Sequence, residues 1–272
     1  MKRKEQSKFW VILLVLSMLF FMSGVSVFAQ GNSGSFTINS GGTSVSVSST
    51  NEDVLGDGTV SYDADSNTLT LSNAKMSNDY PNNPVIYAPN QKSLTINVVG
   101  NNEITASQAI FVTGDLTITG DGTLTVMGTT YAIYAGQDLE IKGTNVIASA
   151  AGNAGAIQAN KGTVTITDSK NVTASNTNGN GIVGQGGVTI TNSTVNSKVT
   201  AASGLNIGLQ ANGMGLEINN SNVDVSVTSG MGISVNAGGI RVTNSSTVTL
   251  RLHLSMTTHS ELMEILKFAV VK

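Results

Sequence analysis

Cysteine is missing from the whole chain. That excludes disulfides and thiolate metal sites, so a chain of this kind must hold itself together by packing alone. A cysteine-free exported protein also fits a bacterial surface better than a small disulfide-stapled domain. Charged and aromatic residues are scarce, at 11% and 5%. So low a content could pass for low complexity, but regularly alternating apolar positions argue for a folded chain. There are two histidines, His253 and His259, both near the C-terminal end. Up to residue 250 there is one arginine past the leader, Arg241. Acid–base catalysis draws on converging titratable side chains, and this inventory argues against an enzyme.

The N-terminus reads as a secretory leader. Lys2, Arg3, Lys4 and Lys8 precede an apolar run from Phe9 to Met22, and Val27-Phe28-Ala29 forms a small-residue cleavage site before Gln30. The run is short for a membrane span, which needs ~20 residues; an uncleaved anchor is the alternative. Cleavage after Ala29 leaves 10 basic and 16 acidic residues, a net charge of −6. A mildly acidic chain without a basic stripe is a poor nucleic-acid binder. The expected location is extracellular or at the cell surface, with membrane contact only through the leader.

What the chain has is a repeat. An apolar-x-apolar triplet recurs at Leu94–Ile96, Leu116–Ile118, Leu139–Ile141, Val164–Ile166, Val188–Ile190, Leu216–Ile218 and Ile240–Val242, in steps of 22, 23, 25, 24, 28 and 24 residues. Such a period signals a solenoid, whose units hide their apolar faces by stacking. Within one unit, Ala132–Ala135, Leu139–Ile141 and Asn145–Ala148 alternate as three strands separated by Gly or Asn bends. Three strands in ~24 residues match a rung of a single-stranded parallel β-helix and leave no room for helical crossovers. About seven rungs are expected over 85–254. Ile110, Ile118, Ile133, Ile141, Ile157, Ile166, Ile182, Ile190 and Ile218 should point inward.

Residues 30–84 differ. Thr59–Asp63 and Thr68–Ser72 alternate around Ala64-Asp65-Ser66-Asn67, a hairpin or imperfect first rung that caps the solenoid. Residues 255–272 break the pattern. Ser260 could N-cap a short helix carrying Leu262, Ile265, Leu266 and Ala269 on one face; a non-native tail is the rival. At one bend, Asp168, Asn192, Asn220 and Asn244 recur, followed by Ser169, Ser193, Ser221 and Ser245. Stacked ~4.8 Å apart, such side chains can bond one another up the solenoid, and Asn tolerates a left-handed backbone.

The stretch Asp57-Gly58-Thr59-Val60-Ser61-Tyr62-Asp63, followed by Thr68-Leu69-Thr70-Leu71-Ser72-Asn73-Ala74, resembles a recurring opening in secreted bacterial surface proteins described as carbohydrate-binding domain-containing. Ala-Ile-Tyr-Ala at 132–135, Leu-Thr-Ile-Thr-Gly at 116–120 and Gly-Asp-Gly-Thr-Leu-Thr-Val at 120–126 carry the same likeness, which covers roughly residues 35–250. The resemblance implies a right-handed parallel β-helix similar to pectate lyases and polygalacturonases but non-catalytic. It also implies carbohydrate binding, in some members with calcium. No catalytic motif transfers to numbered positions.

Two surface features are candidates. Tyr87, Phe111 and Tyr134 each follow the inward Ile of consecutive rungs and should line up outside, with Gln158 and Gln210 continuing the column. A flat aromatic row suits an extended sugar chain. The alternative is rings stacked on one another beneath the loop from Met76 to Pro84. Asp115 and Asp138 occupy equivalent positions in adjacent rungs, where two close carboxylates repel unless a cation intervenes. Calcium is the candidate ligand; solvated side chains that splay apart are the alternative. Asp63, Asp65 and Asp121 read as turn formers. The expected function is non-catalytic polysaccharide binding. Adhesion to another protein and a divergent polysaccharide lyase are the other two readings.

Overall fold

The computed structural model describes residues 35–254 and 262–269. The expected leader at 1–29 lies outside the described residues, as do Ser260 and His259. Every regular element among the described residues is a β-strand. They form a parallel β-helix of about eight turns.

One face is a sheet of nine strands. Eight run parallel, from Thr68–Ser72 to Ile240–Thr243, and Val60–Asp63 closes the first edge by a hairpin onto Thr68–Ser72. A sixteen-stranded sheet forms the other two faces. Early in the solenoid a single strand spans both of those faces, as in Asn101–Val112 and Thr123–Ala135. In later rungs the loops at 151–156, 177–181 and 200–205 separate them.

The repeated triplet sets the register. Leu94, Leu116, Leu139, Val164, Val188, Leu216 and Ile240 are successive Cα partners, and so are Ile96, Ile118, Ile141, Ile166, Ile190, Ile218 and Val242. Like side chains therefore stack on like. All nine isoleucines expected inside are fully buried. Each such side chain contributes roughly 1.5–3 kcal/mol through burial. The residue before the inward Ile or Leu is small for lack of space. A Cβ on Gly208 would lie 2.3 Å from Val225 Cγ1 of a neighbouring face.

The Asn-Ser bend is a double ladder. Asp168, Asn192, Asn220 and Asn244 all have positive φ, from 48° to 55°. On the outside, Asn192 Nδ2 donates to Asp168 Oδ1 (3.0 Å) and Asn220 Nδ2 to Asn192 Oδ1 (2.9 Å). Asn244 departs from the expected pairing and donates to Asn219. The buried ladder belongs to the serines. The Ser169 N–H donates to Ser193 Oγ, the Ser193 N–H to Ser221 Oγ and the Ser221 N–H to Ser246 Oγ, at 3.0–3.2 Å. Ser193 and Ser221 also donate to a carbonyl of their own rung, at 2.7 Å each. The fourth member is Ser246 rather than the expected Ser245. Asn244 and Ser245 are both left-handed, so the last bend takes up one extra residue.

The two ends differ. At the N-terminal end, Phe36–Ser40 and Thr43–Val47 form a hairpin whose first strand pairs antiparallel with Ile86–Ala88. Phe36 and Tyr62 meet edge to face at 5.0 Å and 76°, both buried, and plug the core. At the C-terminal end, Leu262–Ala269 is a strand antiparallel to Thr247–Leu254, which corrects the expected helix. An isolated helix of two turns is marginal in water, whereas the open edge of Thr247–Leu254 offers a full ladder of hydrogen bonds. Among the described residues, the other two faces end on the unpaired strands Gly230–Val235 and Ile240–Thr243.

This packing can be tested at three positions. Ile141→Asp places a charge without a partner in a sealed core, and the protein should lose its cooperative thermal transition by circular dichroism. Ser221→Ala strands the Ser193 N–H inside, and should cost about 1–2 kcal/mol in denaturant unfolding. Asn220→Gly, which removes an exposed amide but keeps the left-handed bend, should change stability by no more than ~0.5 kcal/mol.

Candidate binding surface

The aromatic column begins with strand pairing. Thr37, Tyr87, Phe111, Tyr134, Gln158, Val183, Gln210 and Ser234 are successive Cα partners on one face. The three expected aromatic residues therefore sit side by side on the outside. Tyr87 is 36% exposed, while Phe111 and Tyr134 are half-buried.

The orientation of the rings differs from a flat platform. Phe111 and Tyr134 are 4.8 Å apart and inclined by 3°; Tyr87 and Phe111 are 5.7 Å apart and tilted by 38°. These separations are close to the strand spacing of ~4.8 Å. Phe111 and Tyr134 thus stack face to face along the solenoid axis, and Tyr87 leans against Phe111. The 76–84 loop leaves Tyr87 in contact with solvent, so the stacking half of the alternative holds and the covering half does not.

A fourth ring joins the group. Tyr131 lies 5.2 Å from Tyr134 and 6.1 Å from Phe111. Alternation counted back from Ile133 would place Tyr131 inside. The strand, however, shifts register between Gly128 and Tyr131, where Thr129 and Thr130 oppose Ser107 alone. Such a bulge re-aims the side chains that follow it. Gly128 is needed there, since a Cβ would lie 2.0 Å from the Tyr131 carbonyl oxygen.

Electrostatically the column is neutral. Burial pushes the Tyr131 phenol up, with smaller contributions from Tyr134 and Tyr87. Burial also raises the Tyr134 phenol, partly offset by a hydrogen bond with Asn160. Both groups stay protonated through the physiological range.

The acidic pair is brought together as expected, but its oxygens are engaged. Asp115 Oδ1 accepts the Asp138 N–H (3.1 Å), and Asp138 Oδ1 accepts the Thr163 N–H (2.7 Å). Each carboxylate tethers the next rung. Calcium takes six to eight oxygens, and these two residues retain one free side-chain oxygen each. Among the described residues, no three His, Cys, Asp or Glu side chains gather as a metal group. By themselves Asp115 and Asp138 are a poor fit to a dedicated calcium site. Asp63 behaves as a turn former, held below the usual carboxylate range by hydrogen bonds from Ser66 and the Asp65 N–H. Arg241 pairs with Glu217 at 3.4 Å on the open surface, a contact worth little.

A second concavity lies at the N-terminal end. A cleft of about 340 Å³ opens between the hairpin turn at Gly41–Gly42 and the loop at 78–84, lined by Asn39, Thr43, Ser44, Asn78, Tyr80 and Asn83 among others. Sequence periodicity could not find it, because no rung repeats it. No family model, curated protein or solved structure matches the chain.

The phenols give a pH dependence with a definite sign. A raised folded-state value means that stability is fully present below the unfolded value of ~10 and is lost as pH rises toward the folded one. Melting temperature should therefore fall progressively above about pH 10, and Tyr131→Phe should blunt that fall in thermal scans.

Proposed function

We propose that this chain is a secreted, non-catalytic β-helix that binds polysaccharide at the cell surface. The observation that carries this reading is the partly exposed column Tyr87, Phe111 and Tyr134, set in an outer surface of Thr, Ser, Asn and Gln. The rings repeat at about the rung spacing, which is close to the rise of one sugar in an extended glycan. Neighbouring amides such as Gln158 and Gln210 continue the column with hydrogen-bonding groups. A binding rather than a cleaving role is supported by where the carboxylates lie. Asp115 and Asp138 are used in backbone tethers, and Glu217 is paired with Arg241. Asp115 and Asp138 would hold calcium only together with oxygens of the glycan, and the ion would supply positive charge beside the column.

A second reading, adhesion to another protein, is favoured by one observation. Leu205, Met214, Met231 and Ile240 expose large apolar side chains in the last rungs, from 43% to 85%. Exposed apolar surface of this kind marks contact with macromolecules.

Shallow contacts give weak single-site affinity that grows with the number of sugars engaged. Affinity for cellulosic and pectic glycans should fall by at least roughly tenfold when Tyr87, Phe111 and Tyr134 are all changed to Ala, since each ring contact is worth ~0.5–1.5 kcal/mol. Unchanged affinity would remove the column from the site. Indifference to a chelator and to Asp115→Asn would remove calcium. Absence of binding to any glycan would leave adhesion as the better account.

A further inference from the structure

The cleft at the N-terminal end is built, not incidental. Tyr80-Pro81-Asn82-Asn83 form a turn in which the Asn83 N–H donates to the Tyr80 carbonyl (3.4 Å) and Asn82 has φ 60°. Proline followed by a left-handed Asn suits a type II turn. Asn78, itself buried, clamps this turn from both sides. Its Nδ2 donates to the Asn83 carbonyl (2.7 Å), and its Oδ1 accepts the Tyr80 N–H (3.2 Å). The loop is thus held in one shape before any ligand arrives, which lowers the ordering cost of binding.

Among the described residues, two amides that line the cleft, Asn83 and the buried Asn39, leave complementary groups without a partner. Asn39 Nδ2 donates to the Pro84 carbonyl (2.6 Å) and to Asn83 Oδ1 (3.0 Å). The carbonyl partner fixes which end of the Asn39 amide is the nitrogen, and this in turn fixes the orientation of Asn83. What remains is an acceptor, Asn39 Oδ1, and a donor, Asn83 Nδ2, on two amides bonded to each other. An acceptor beside a donor matches the adjacent hydroxyls of a sugar ring. Ser44, the Cα partner of Asn39 across the hairpin, adds a hydroxyl.

Tyr80 completes the set. It is 62% exposed and takes part in none of the ring contacts that Tyr87, Phe111, Tyr131 and Tyr134 make with one another. Its face is open for an apolar sugar face. Among the described residues no charged side chain lines the cleft, and Asp79 is the nearest charge in sequence. A uronic acid would meet no cation there.

The cleft also shares its surface with the aromatic column. Thr37 pairs with Tyr87, and Asn39, two residues on, points to the same side of the strand, ~7 Å away. One glycan could cross both.

We propose that this cleft is a subsite for one neutral sugar of the bound polysaccharide, with Tyr80 against the sugar ring and Asn39 Oδ1 and Asn83 Nδ2 on adjacent hydroxyls. The proposal rests on the glycan-binding reading and narrows it from cellulosic and pectic glycans to neutral chains. The experiment is calorimetric titration of the full chain with neutral cello-, xylo- and manno-oligosaccharides and with oligogalacturonate. Wild type, Tyr80→Ala, Asn83→Ala and the Tyr87/Phe111/Tyr134 triple-Ala variant are compared, and melting temperature is recorded for each. Tyr80→Ala removes an exposed ring, so it should keep the wild-type melting temperature while weakening neutral-sugar binding by roughly tenfold. The triple variant should retain binding of short neutral oligosaccharides and lose the gain that long ones show. If Tyr80→Ala binds as wild type while the triple variant does not, the cleft is refuted and the column stands. Tighter binding of oligogalacturonate than of every neutral sugar would overturn the neutral class. Failure of the wild type to bind any sugar would overturn both.

Discussion

Each rung of this protein can bury its apolar side only if the rung above presents a matching residue at the same level. Backbone pairing fixes the separation at ~4.8 Å, and the recurrence of Leu-x-Ile keeps like side chains in line. The interior this produces is narrow. From Leu94 to Ile218 it is lined mainly by aliphatic side chains, with Asn176 and Ser197 buried against backbone carbonyls, while the edge-to-face pair of Phe36 and Tyr62 sits at the end of the stack. Aromatic residues of the regular rungs are therefore placed outside. The register that aligns Ile110 with Ile133 also aligns Phe111 with Tyr134 one position later. Core and surface columns are two readings of one constraint.

That constraint explains how much was legible in the sequence. The inward isoleucines, the outward column and the left-handed Asn bends depend only on period and alternation, and the structure has them at the expected positions. Four features depend on something else. Tyr131 turns outward because a bulge interrupts alternation, and no residue count reveals a bulge. The fourth rung of the serine ladder is Ser246 because two consecutive residues take positive φ. Phe111 and Tyr134 cover each other's faces because their spacing equals the strand spacing, a consequence of three-dimensional stacking rather than of residue type. Leu262–Ala269 is a strand because a free edge waits for it, and local helix patterning carries no information about edges.

The candidate sites divide along the same line. Where the repeat is perfect, neighbouring rungs occupy each other's surfaces, as the rings do and as Asp115 and Asp138 do with backbone N–H groups. Where it fails, groups are left over. The Tyr80 face, the Asn39 oxygen and the Asn83 amide all belong to the irregular opening of the solenoid. Unused polar and aromatic groups in this fold gather where the period breaks.

The uneven steps between rungs have an evolutionary consequence. The longest, 28 residues from Val188 to Leu216, includes the loop at 200–205 with Leu205 85% exposed. On either side of that loop the ladder is undisturbed: Val195 opposes Val223 and Leu209 opposes Ile182. The additional length leaves the strands untouched, because each bend closes on its neighbours through its own hydrogen bonds. Insertions and deletions at this corner are thus close to neutral for folding. One rung can acquire a longer loop and a new surface without a compensating change in any other, so lineages of this architecture are free to diversify corner by corner while the stack beneath stays the same.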